Sequence, residues 1–111
     1  MERTRATKLT VYIRDSFRYM HKALYRAIVE MLRSEGIAGT TVIHGIEGYG
    51  WDKVIHTAKI LDLAADLPVV IIAIDRPEKI EAVLPKLDEM VEKGLVTTET
   101  VDVVLSRPHP L

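Results

Sequence analysis

The sequence predicts an α+β fold (α/β in the broad sense) in which two helices cover one face of a four-stranded antiparallel sheet. Three observations predict it. Strand-like and helix-like runs alternate in the order β-α-β-β-α-β. Apolar residues recur at every second position in the former and at every third or fourth in the latter. Finally, residues 48–66 form a long connection between two strand-like runs, where ordinary connections take about 4–6 residues.

The elements follow in order. Lys8 to Arg14 alternates Leu9, Val11 and Ile13 with Lys8, Thr10, Tyr12 and Arg14, a strand with one buried face. Asp15-Ser16 is suited to cap a helix, and from Met20 the apolar positions 20, 23, 24, 27, 28, 31 and 32 form one stripe. Gly36 terminates that helix, with Ile37 folded back onto its last turn. Gly39 to Glu47 is β-branched and aliphatic, a second strand. Pro68 to Asp75 is apolar on both faces and reads as a central strand. Pro77 opens the second helix, whose stripe is Ile80, Val83, Leu84, Leu87, Met90 and Val91; Pro85 interrupts it and should kink it or loosen its first turn. Gly94 ends it, and Leu95 to Leu105 supplies the last strand. The arrangement is ferredoxin-like, βαββαβ. Its second sheet face is left uncovered, which predicts oligomerisation. One rival remains: Val54, Ile55, Ala58, Leu61 and Ala65 are spaced as a third helix over 53–65.

Composition narrows the function. The 111 residues fit a single domain spanning 1–111, with 1–7 and 106–111 as irregular tails. Without cysteine there is no disulfide, zinc-thiolate site or thiol catalysis. The charged start MERTRATK is no signal peptide, and the longest apolar run, Leu67 to Ile74, is too short for a bilayer. A cytoplasmic protein without membrane insertion is expected. Residues 1–61 carry ten Lys/Arg against six Asp/Glu, and 62–111 carry five against ten. That mildly basic first half suits an anionic ligand but is no nucleic-acid footprint. Asn and Gln are absent, as in chains from thermophiles.

The candidate site is the start of the long connection. Gly45, Gly48 and Gly50 allow positive φ and close backbone approach, so their N–H groups are available to an anion; alternatively they only shape a turn. The spacing is not the dinucleotide fingerprint. Tyr49 and Trp51 can stack on a base, insert into a partner, or latch the loop. Lys53, His56 and Lys59 would share a face if helical. His44 and His56 are too far apart in sequence to imply a metal site, and no nucleophile-base pair stands out around Ser16, Ser34 or Ser106.

The segments EGIAGTTVIHGIEGYG, IHTAKILDLAADLPVVI and IEAVLPKLDEMVEKGLVTTETVDVV resemble the PII-like family of unknown function numbered 190, over nearly the whole chain from Lys8 to Leu105. The resemblance implies subunits like those of PII signalling proteins and CutA, assembled as homotrimers. It also implies a loop, here Gly48 through Asp66, that contacts a target such as a membrane transporter or an enzyme. Small nucleotides or anions would bind in clefts between subunits near the base of that loop. Lys93-Gly94-Leu95 lies where PII proteins carry a glycine-rich phosphate-binding turn, though this turn has one glycine and no lysine between Gly94 and Val101. The expected ligand residues are therefore Gly45, Gly48, Tyr49, Gly50, Trp51, Lys53 and His56 with Lys93 and Gly94. The expected role is a non-catalytic regulator without catalytic or metal-binding residues. A CutA-like metal-linked or purely structural trimer is the alternative, and an enzyme the third. Residues Tyr49 to Asp66 are expected to be the most mobile, with Ile60, Leu61 and Leu63 placed to extend the third strand.

Overall fold

A computed structural model describes residues 3–58 and 65–111. The sheet has four long strands: β1 (Thr4–Arg14), β2 (Thr40–His44), β3 (Pro68–Asp75) and β4 (Leu95–Val103). They lie in the order β2-β3-β1-β4, and every neighbouring pair is antiparallel. Helix α1 (Leu24–Ser34) links β1 to β2 across β3, and α2 (Pro77–Met90) links β3 to β4 across β1. This is the predicted ferredoxin-like order.

Alternation decides which sheet face is buried. Leu9, Val11 and Ile13 of β1 and Val69, Ile71 and Ala73 of β3 point to the helices, where they meet Ile28 and Leu32 of α1 and Ile80, Val83 and Leu87 of α2. Each large aliphatic side chain fully buried there contributes about 1.5–3 kcal/mol. The opposite face carries Tyr12, Ile43, Val70, Ile72 and Leu95, of which Tyr12, Ile43 and Leu95 are among the exposed large apolar residues. β4 is thinly covered, being exposed at every position from Leu95 to Thr100.

Several boundaries differ from expectation. β1 begins at Thr4, so part of the presumed tail is strand, paired through Thr4–Val103 to Ala6–Val101. The first helix begins at Leu24, not near Met20, and no side chain caps it. Arg18–Tyr19 and Lys22–Ala23 instead pair as a small hairpin whose two-residue turn, Met20-His21, has φ of 50° and 72°. Positive φ at both central residues is the form that suits hairpin twist. Asp15-Ser16 therefore turns the chain: the Ser16 N–H donates to Asp66 Oδ1 at 2.8 Å, and the Asp15 N–H to the Leu67 carbonyl at 3.0 Å. The end of α1 is as expected, with Gly36 at φ 79° and the Ile37 N–H donating to the Leu32 carbonyl at 3.0 Å. α2 runs through Pro85, which faces solvent, where water can satisfy the carbonyl one turn earlier. The rival helix over 53–65 is not formed at Lys53 to Ala58; the expectations for Lys59, Ile60, Leu61 and Leu63 lie outside the described residues. No helix among the described residues is long and apolar enough to cross a membrane.

Candidate functional site

The second strand breaks at Gly45, whose N–H donates to the Pro68 carbonyl at 2.7 Å. Past this point Glu47–Gly48 pairs with His56–Thr57, and the Ala58 N–H donates to the Ile46 carbonyl at 2.7 Å. Where composition predicts an open loop, the first part of the connection is thus a closed hairpin. Its tip is a tight turn, with the Lys53 N–H donating to the Gly50 carbonyl at 3.0 Å and the Val54 N–H to Asp52 Oδ1 at 3.1 Å. Lys53 takes a φ of 60°, a conformation that side chains resist.

The three glycines act otherwise than expected. The positive-φ glycines are Gly36 and Gly94; Gly45, Gly48 and Gly50 are not among them. Gly45 and Gly48 serve close approach, since a Cβ added to them would lie 3.3 Å and 2.9 Å from the Pro68 ring. The Gly45 amide is spent on Pro68 and is not free for an anion. Gly50 lies open, with only Arg14 Nη2 at 4.0 Å from its added Cβ.

This folding creates a pocket of about 510 Å³ at one end of the sheet. Gly48, Tyr49, Gly50, Trp51 and His56 of the hairpin line one side, and Gly94 with Leu95 the other. Lys53 and Lys93 stand at its margin: the Lys53 ammonium lies 5.5 Å from the Tyr49 ring centroid and the Lys93 ammonium 5.3 Å from that of Trp51. Gly94 has to be glycine here, at φ 146° with its added Cβ only 2.7 Å from the Tyr12 carbonyl. Six of the nine predicted residues line this hollow; Lys53 and Lys93 lie beside its aromatic rings, and Gly45 touches only its Pro68 wall.

The sequence reading missed the centre. Arg14, the last residue of β1, sends its guanidinium between the rings of Phe17 and Trp51, with centroids at 5.6 and 6.0 Å. Arg14 Nη2 lies 2.7 Å from Asp52 Oδ2, and Nη1 4.0 Å from Asp66 Oδ2. The Nη2 contact is ionic without alignment: that buried nitrogen has no hydrogen-bond partner among the described residues, and neither has His56 Nε2. The Arg14 guanidinium and the Val54 N–H hold the Asp52 carboxyl below the usual range, with His56 adding to the effect. In the sequence, Arg14 reads as the polar side of an amphipathic strand. The one signal was the Asp66-Leu67-Pro68 segment, which supplies both a pocket wall and a carboxylate.

His44 takes no part in the pocket. Its Nε2 lies 3.2 Å from Asp15 Oδ1, and its ring meets Tyr25 edge-on at 5.3 Å. Among the described residues no cluster of three His, Cys, Asp or Glu is placed to hold a metal. A second hollow, about 570 Å³, lies between the helices around Met20, Met31 and Met90, and includes no predicted residue.

Comparison with known proteins adds to this geometry. The model of the family DUF190, described as an uncharacterized ACR, matches residues 6–103. A UPF0166 protein of Methanocaldococcus jannaschii is 39% identical over 93 residues, covering 83% of this chain and 85% of its own. Among solved structures, the fold is similar to that of CPII, a nitrogen regulatory PII-like protein from Thiomonas intermedia K12, bound to ADP, AMP and bicarbonate. The TM-score is 0.72 at 19% identity, over 92% of this chain and 91% of that one. CutA1 from Oryza sativa is similar at a TM-score of 0.58 and 14% identity, over 95% and 85% of the two chains. At these identities the structural likeness is one of fold.

Proposed function

The chain belongs to the DUF190 family, and on that premise we propose that it is a non-catalytic, PII-like regulatory protein, a homotrimer that binds a small nucleotide or anion beside the hairpin at residues 47–58. One observation carries the reading. A pocket of ligand size brings together flat aromatic surfaces at Tyr49 and Trp51 and the cationic Arg14, with the Lys93 ammonium beside the Trp51 ring at its margin. Aromatic faces suit a base and cations suit a phosphate or carboxylate. The PII-like fold shared with a protein that binds ADP, AMP and bicarbonate supports the choice of ligand.

Trimer formation rests on the uncovered sheet face. Tyr12 and Leu95 belong both to that face and to the lip of the pocket, so a second copy seated there would complete the pocket wall. Binding would then be felt at the subunit contact and at the hairpin, the two surfaces a regulator needs. A target protein, whether transporter or enzyme, would meet the hairpin and the connection beyond it.

Trp51 is the only tryptophan, so its fluorescence reports on the pocket directly. Titration with AMP, ADP or bicarbonate should change that emission and raise the melting temperature, by the equivalent of about 2.7 kcal/mol at a hundredfold excess over Kd. Trp51→Ala should weaken nucleotide binding by about 1–3 kcal/mol, the worth of one stacked base. An emission and melting curve unmoved by all three ligands at millimolar concentration would leave the purely structural trimer as the better reading.

A further inference from the structure

We infer that Asp52 is an internal competitor for an oxyanion seat formed by Arg14 and His56. On the ligand-binding reading above, an arriving carboxylate, bicarbonate or phosphate group takes that seat, displaces Asp52 and frees the Gly50–Lys53 turn that carries Trp51.

Arg14 and His56 come from different elements, the end of β1 and the return arm of the hairpin, and both line the same hollow. Each presents a buried nitrogen: Nη2 meets Asp52 Oδ2 at 2.7 Å without an aligned hydrogen bond, and Nε2 has no partner among the described residues. A buried polar nitrogen without a partner is costly and uncommon, so Nε2 beside an imperfectly matched Arg14 marks a place where an acceptor is wanted. A guanidinium offers its N–H groups in a fixed fork, and His56 adds a donor from another direction when its proton is carried on Nε2. That set suits a group with two or three oxygens on one centre.

The two carboxylates near Arg14 are held differently. Asp66 is fixed to the scaffold, its Oδ1 accepting the Ser16 N–H at 2.8 Å, and it stands 4.0 Å from the guanidinium. Asp52 sits closer, at 2.7 Å, but off the N–H directions, and it rides on a turn whose backbone contains the strained Lys53. It neutralises Arg14 without filling the donor set. An external oxyanion can do both, and its charge would repel Asp52 from the guanidinium it leaves. Lys53 would then be released from its left-handed conformation, and Trp51 would move with the turn.

The test follows Trp51 emission and hydrogen exchange with inorganic phosphate, bicarbonate, AMP and ADP as separate probes. Asp52→Asn removes the competing charge and keeps an oxygen for the Val54 N–H. If Asp52 occupies the seat about nine-tenths of the time, this variant should bind the effective probe about tenfold more tightly. Arg14→Gln should lose binding. In the wild type, the effective probe should accelerate exchange of the Val54 amide, a measurement independent of any variant's folding. Binding of phosphate or bicarbonate alone identifies a free anion as occupant, and binding only of AMP or ADP assigns the seat to a nucleotide phosphate. Nucleotide binding with unchanged or weaker affinity in Asp52→Asn, or with a slowed Val54 amide, overturns the competition while leaving the pocket reading intact. If no probe binds either protein, both fall.

Discussion

Arg14 shows how much a single residue's position can hide. At the end of an amphipathic strand it reads as solvent-facing, yet its side chain is only 15% exposed between two aromatic rings and two carboxylates. Its pairing with Asp52 has a pH signature. Because the folded-state pKa of Asp52 is lowered, the pair's contribution is fully present above the ordinary value of 3.8 and is lost as pH falls through the lowered one. Asp66, Glu47 and His56 also line this pocket and Lys53 and Lys93 stand at its margin, so the variant isolates Asp52: Trp51 emission should show an acid transition below pH 3.8 in the wild type that Asp52→Asn lacks. The glycines make a second test at this scale. Gly94→Ala forces a methyl to 2.7 Å from the Tyr12 carbonyl at φ 146° and should cost about 1–3 kcal/mol in chemical denaturation. Gly50→Ala, in open space, should stay within about 0.5 kcal/mol of wild type.

At the scale of elements, the small hairpin before α1 is the instructive case. Its tip has both central residues at positive φ, a conformation that normally asks for Asn-Gly, and the chain supplies Met20-His21. His21→Gly should therefore raise stability by about 1 kcal/mol in thermal or denaturant unfolding, since the left-handed conformation costs a side chain about that much. The hydrogen bond from Arg18 Nη2 to the residue 21 carbonyl does not depend on the side chain. The same mismatch explains what the sequence concealed. Met20, Ala23, Leu24 and Ala27 keep helical spacing by coincidence, and no turn dipeptide marks the break. The long strands and α2 were legible because their periodicity reflects one buried face, as with Leu9, Val11 and Ile13. Within the site, Tyr49, Trp51, His56 and Gly94 announced themselves by type and place. Arg14, Asp52 and Asp66 did not, because their meeting depends on residues far apart in sequence being brought to one sheet end.

For the molecule as a whole, the helices satisfy only one side of the sheet. The radius of gyration is 15.3 Å, whereas a compact chain of this length would have about 13 Å, a difference in keeping with the 47 Å long axis. Tyr12, Ile43 and Leu95 share the uncovered face, with Ile43 48% exposed. Ile43→Lys places a charge there without touching the helix-facing core, and light scattering should then report a 12.5 kDa species in place of the expected trimer. A trimeric mass unchanged by the substitution would show that this face is not the contact.

The exposure of β4 on both sides has a consequence for how much of the protein a cell must hold. If a second copy covers this strand in the proposed trimer, its packing depends on concentration, and dilution acts on it as a mild denaturant. Melting temperature should rise with protein concentration, and amides of β4 should exchange fastest in the most dilute samples. The closure of the pocket lip at Tyr12 and Leu95 would then vary with abundance, so that the number of copies present sets how many can answer a ligand at all.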